Sequence, residues 1–287
     1  MKTRIITAIV AIAGIFPFFW FSDPVEPTNW LNYLFPLLIS AIVFVSMWEI
    51  LHCVGLDKNY FISIPLYVMG LAFPMLARIM RDMRAEYVRM AVLVALAFAI
   101  YLFAVIVFRF GKIEFGNVAL LYMSAFYIIG AFSSLVLLRD TPNGTGRFLF
   151  LLPIIFPWVT DTFAYFCGRL FGKHKLIPAV SPKKTVEGAI GGAVFCALST
   201  MLYGFIVHKA FGAIPNYPVL IIGGLLISVV SQIGDLVFSA IKRQFGIKDY
   251  GMMLPGHGGL LDRFDSCIAV SVLVMLISTY FNFFTIA

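Results

Sequence analysis

Ser239-Ala-Ile-Lys242-Arg243-Gln-Phe-Gly-Ile-Lys248-Asp249-Tyr-Gly-Met-Met-Leu-Pro255-Gly-His257-Gly-Gly-Leu-Leu-Asp262-Arg263-Phe-Asp265 is the most polar stretch of the chain. On either side lie Tyr217–Ala240 and Phe264–Phe284, runs as apolar and as long as a bilayer crossing requires, roughly 20 residues. A polar turn between two such runs reads as two spanning helices joined at a membrane surface. Working outward, the same criterion selects Ile5–Phe21, Trp30–Leu51, Tyr60–Ala77, Val88–Phe108, Gly116–Leu138, Phe148–Cys167 and Val186–Val207. The expectation is an all-α, polytopic integral membrane protein with about nine transmembrane helices. Composition excludes a soluble globule, because 61% of the 287 residues are hydrophobic and the mean hydropathy is +0.97, more apolar surface than one core can hide.

The formal charge of +7 does not point to nucleic acid, since the cations sit in short loops between apolar runs. With the N-terminus in the cytoplasm, 14 of the 21 Lys and Arg residues fall on the cytoplasmic side. The loop with Arg78, Arg81, Arg84 and Arg89 runs against that rule, and the helices flanking it could instead form one re-entrant element. The first apolar run resembles a signal peptide but lacks a small-x-small cleavage site, so it reads as a retained helix. Cys53, Cys167, Cys196 and Cys267 lie singly in apolar surroundings, which suits core residues rather than metal ligands or a disulfide framework. No repeat or long linker divides the chain. It reads as one membrane domain, with residues 1–150 as helical scaffold and 151–287 as the catalytic half. Gly188 and Gly192 have the spacing of a close helix contact, with a homodimer seam as the alternative use.

Asp235 is the most informative single residue, because a carboxylate at the centre of a spanning helix costs roughly 2.5–3.5 kcal/mol on insertion scales. Ser228, Ser231 or Gln232, Asp235, Ser239 and Lys242 recur at three- and four-residue steps and share a helix face, so they predict a polar stripe facing a cavity. Pairing with Lys242 is the plain alternative for Asp235. Asp262 and Asp265, three residues apart, share a face at the start of the last helix, where acids also suit the helix dipole. Magnesium typically keeps waters and takes one or two carboxylates plus substrate phosphates, which Asp235 and Asp262 could offer. Upstream, Asp161 precedes a basic loop ending in Ser181-Pro-Lys183-Lys184-Thr185-Val-Glu187-Gly188. Ser181 as N-cap and Pro182 as first helical residue would leave free amides beside Lys183 and Lys184, an anion site. Acids for a divalent cation and cations for phosphates together suggest metal-assisted phosphoryl or nucleotidyl transfer.

The full pattern from Ser239 to Asp265 resembles the signature of the phosphatidate cytidylyltransferase (CDP-diacylglycerol synthase) family, with no departure across these 27 residues. The Asp161 segment and the Ser181–Gly188 stretch resemble it too. The resemblance implies joining phosphatidate to CTP with magnesium, at the cytoplasmic face of the membrane, in phospholipid biosynthesis. It implies metal ligation by Asp235 and Asp262, with Asp265 and Asp249 beside them or at a second cation. Lys242, Arg243 and Lys248 would neutralise the triphosphate and the leaving pyrophosphate, His257 could bond a phosphate oxygen, and Arg263 is expected among the catalytic residues. Asp161, Ser181, Lys183, Lys184, Thr185 and Ser239 are expected to bind substrate, either the lipid phosphate or the nucleotide. A lipid or polyprenol kinase is the rival enzyme, and a transporter or membrane scaffold the rival of a different class.

Overall fold

The computed structural model describes residues 30–141, 144–252 and 258–286. The predicted first span, Ile5–Phe21, and His257 lie outside the described residues. Seven described helical stretches are long and apolar enough to cross a membrane, all at predicted places. The protein is therefore an all-α, multi-pass membrane protein. The helices are α1 (Leu34–Val54), α2 (Tyr60–Ile79), α3 (Arg84–Phe108), α4 (Phe115–Arg139), the short α5 (Gly146–Leu149), α6 (Leu152–Phe171), α7 (Val186–Phe211), α8 (Tyr217–Gln244) and α9 (Leu261–Tyr280). α2 and α3 are separate full-length helices, so the arginine-rich loop between them does not belong to one re-entrant element.

The chain divides into two compact units, the first comprising Met1–Leu137 with Ile247–Arg263 and the second Leu138–Gly246 with Phe264–Ala287. In the first, close approach and polar stitches hold apolar helices together. A Cβ on Gly70 would lie 3.2 Å from Val43 Cγ1, so α1 and α2 meet nearly backbone to side chain. Ser40 Oγ donates to Leu71 O (2.9 Å), Tyr87 OH to Phe73 O (3.3 Å) and Tyr122 OH to Ala95 O (3.0 Å), each satisfying a polar group across a helix seam. Val92, Leu93, Leu96, Ile100 and Phe103 leave one side of α3 exposed and apolar, as a lipid-facing helix requires.

In the second unit α7 packs against both α6 and α8. The paired glycines explain how: a Cβ on Gly188 would sit 2.6 Å from Ala164 O, and one on Gly192 3.0 Å from Thr160 O. That spacing serves the α6–α7 contact inside the chain. Between these helices runs a hairpin absent from the sequence reading, β1 (Lys175–Ile177) antiparallel to β2 (Ser181–Thr185). Ser181 therefore caps no helix. It pairs with Ile177, and α7 starts at Val186 with Thr185 as N-cap, its Oγ1 accepting from Gly188 N at 3.1 Å. The last expected span, Phe264–Phe284, is not among those seven stretches; its helix α9 ends at Tyr280, and the chain then pairs β4 (Phe284–Thr285) with β3 (Ile214–Pro215).

Candidate active site

In the second unit, charged groups from four elements converge. Lys184, on β2, reaches Asp235 of α8, with Nζ 2.5 Å from Oδ2. Asp161 of α6 lies close enough to interact with both. Asp265, near the start of α9, faces Asp235 so closely that their carboxyl groups contact one another, and Lys242 lies in its field. Asp265 and Lys242 are both buried. Asp235's other oxygen also has a neighbour, Ser239 Oγ, which donates to Oδ1 at 3.5 Å. The simple alternative for Asp235 is thus replaced: its cation is Lys184, delivered by the hairpin, while Lys242 faces Asp265.

The predicted polar stripe on α8 divides in two. Toward the N-terminal side, Gln232 Nε2 donates to Ser228 Oγ (3.1 Å) and Ala189 O (3.3 Å), so these residues, with buried Ser231, pack α8 against α7 rather than face a cavity. Asp235, Ser239 and Lys242 alone reach the charged cluster. Lys183 and Pro182 are exposed on the hairpin. A contact that sequence reasoning missed closes the hairpin's base. Glu187 accepts from His174 N (3.2 Å to each oxygen) and holds the His174 ring, Nδ1 to Oε1 2.6 Å. Thr185 is equally engaged, since a Cβ on Gly168 would meet its Oγ1 at 2.7 Å.

In the first unit the described parts of the remaining signature, residues 247–252 and 258–263, are held by carboxylates. Asp262 Oδ2 accepts from Tyr250 N (2.8 Å) and Gly259 N (3.1 Å). Glu49 of α1, fully buried, accepts from Leu260 N (2.8 Å, Oε1) and Leu261 N (2.7 Å, Oε2). Gly258 has φ +85°, beside the Asp249 and Asp262 side chains. Lys248, Asp249 and Arg263 are exposed, as is Arg243 in the second unit. Glu49 was not singled out from the sequence, although the cue that selected Asp235, a carboxylate inside an apolar run, applied to it equally.

Among the described residues no three His, Cys, Asp or Glu side chains form a closed metal cage. The facing Asp235 and Asp265 carboxylates nevertheless suit magnesium, which takes few protein ligands and completes its shell with water and phosphate oxygens. Lysines, facing carboxylates and a glycine loop on a scaffold of spanning helices define, by class, a membrane-embedded protein that handles phosphorylated ligands.

The sequence pattern of the Cytidylyltransferase family matches residues 2–281, and the chain belongs to that family. Its curated relatives include proteins named phosphatidate cytidylyltransferase from Staphylococcus epidermidis, 34% identical over 97% of this chain and 100% of the relative, and from Staphylococcus saprophyticus, 34% identical over 96% and 98%. The Staphylococcus aureus protein of the same name is 32% identical over 96% and 98%. These matches extend over the N-terminal helices, where the sequence alone showed no motif.

Proposed function

We propose that this protein is an enzyme that transfers the cytidylyl group of CTP to phosphatidate, giving CDP-diacylglycerol and pyrophosphate, at the cytoplasmic face of the cell membrane. The observation that carries this reading is the convergence of Asp161, Lys184, Asp235, Lys242 and Asp265 in one unit of a chain whose relatives bear that name.

A phosphate oxygen of phosphatidate attacks the α-phosphorus of CTP, forming the new P–O bond while the bond to the bridging β-phosphate oxygen breaks. Pyrophosphate leaves with that electron pair. The nucleophile is already an anion, so no side chain has to remove a proton, and catalysis rests on positioning and on stabilising charge. Magnesium, when bound, neutralises phosphate oxygens. Asp235 and Asp265 in the second unit, and Asp262 in the first, are the residues we assign to magnesium, each on the chemistry of its carboxylate. Lys184 and Lys242, each beside one of these acids, lower the repulsion between carboxylates and incoming phosphates. Lys183, Arg243, Lys248 and Arg263 are exposed, and we assign them to the triphosphate or the lipid phosphate.

Two labelled forms of CTP test the reading in purified protein with phosphatidate and magnesium. Label at the α-phosphate should enter lipid, and label at the γ-phosphate should appear in pyrophosphate. Transfer of the γ-label to lipid would identify a kinase instead. Failure of both labels to move would remove the enzymatic reading.

A further inference from the structure

Glu49 is a buried ionisable group for which the reaction has no use. It lies in α1, in the first unit, and its side chain is 0% exposed. An acid in a spanning segment is by default functional, because its burial must be offset. Its partners are the backbone amides of Leu260 and Leu261, 211 and 212 residues further along the chain. Those amides belong to the entry of α9, where N–H groups have no partner within the helix. One oxygen goes to each amide, so both lone-pair directions facing the loop are in use.

The loop is shaped to admit this carboxylate. A Cβ on Gly251 would lie 2.7 Å from Glu49 Oε1, and a Cβ on Gly259 would lie 2.7 Å from the same atom. The three atoms nearest to a Cβ at Gly251 would all belong to Glu49. Asp262 holds the same two strands of the loop through Tyr250 N and Gly259 N. The segment fixed in this way carries Lys248, Asp249, Asp262 and Arg263.

We infer that Glu49 is a positioning residue: its carboxylate clamps the signature loop in the geometry that the transfer reaction needs. The inference rests on the function proposed above for its kinetic consequence, and on geometry alone for the clamp. Glutamine at this position keeps the volume but presents an N–H₂ to one of two donors, so one bond is lost and a donor faces a donor.

The test is made on the full-length protein in detergent micelles with phosphatidate. In Glu49→Gln, amide hydrogen exchange at Leu260 and Leu261 should accelerate at least tenfold. Turnover per folded molecule should fall about 30-fold, with KM for CTP changed less than threefold, the pattern of lost positioning. Gly251→Ala should lower turnover to a similar degree in the wild-type background and add less than twofold in Glu49→Ala, where the atom that it strikes is gone. Unchanged exchange at both amides overturns the clamp, whether or not the protein has the proposed activity. Equal damage by Gly251→Ala in both backgrounds overturns it as well, and so does a loss explained by folded fraction, with wild-type turnover in the remainder. A wild-type protein that protects these amides but does not act on CTP would instead refute the proposed function and leave the clamp standing.

Discussion

In the second unit Asp235 meets Lys184 and Asp265; in the first, Glu49 and Asp262 meet backbone amides. The four side chains carry the same chemical group. They differ in what their partners can give up. An ammonium or a second carboxylate can be traded for a metal ion or a phosphate at modest cost, because another charge takes its place. An amide at a helix entry or in a glycine loop has no such replacement, so a carboxylate bonded to it holds the fold. Asp262 is the residue on which the comparison turns, since it is assigned to magnesium yet already accepts two amides on Oδ2.

The largest expected effect breaks the tie for that residue. On the proposed assignment of both acids to magnesium, Asp235→Asn and Asp262→Asn should each lower turnover at least ~100-fold. Asparagine still offers one oxygen to Tyr250 N and Gly259 N. Near wild-type turnover in Asp262→Asn would therefore assign that side chain wholly to the loop. A smaller loss is expected in the other unit from Lys184→Met, about 10- to 100-fold, the range for removing a group that orients a metal ligand. Its magnesium requirement should shift upward in a titration of activity against metal, and an unaltered requirement would separate Lys184 from the metal.

Below these comes Thr185→Val, which keeps the shape of the N-cap of α7 and removes its acceptor. Unfolding should become easier by about 1 kcal/mol, read from the thermal midpoint of the purified protein. No change would mean that packing against Gly168, and not the bond to Gly188 N, holds this corner. Sidedness is a yes-or-no matter. Cysteines placed at Lys175 and Met252 should react with an impermeant thiol reagent from the cytoplasmic side, and one at Asn216 from the opposite side. Reaction of 175 and 252 from different sides would mean that the two loops serve different compartments.

Much of the fold was legible because lipid makes hydropathy and length decisive, and the segments from Trp30 onward became helices close to their expected places. Where the reading went wrong, long-range pairing overrode a local signal. Ser181-Pro182 has the right residues for a helix start, yet pairing of β2 with Lys175–Ile177 makes it a strand. The end of the last span was lost in the same way to β3. In the charged cluster the sequence supplied the participants but not the partners, because helix periodicity relates Asp235 to Lys242 and says nothing of a hairpin that delivers Lys184. Glu49 was overlooked for a different reason. As a carboxylate inside an apolar run it carried the cue that selected Asp235, but its partners are main-chain amides, which leave no mark in a list of residue types, so its contact was not legible.

The bond from Glu49 to Leu260 and Leu261 also sets an order of events at birth. The ribosome adds about 5–20 residues per second. The 211 residues separating Glu49 from Leu260 therefore correspond to roughly 10–40 s of synthesis, during which α1 is already made and its acid has no clamp to fill. A naked carboxylate is poorly tolerated in hydrocarbon, so over that interval it must stay wet, take up a proton or borrow a temporary donor. The nascent chain thus carries an unpaid polar debt from its first described helix almost to its last.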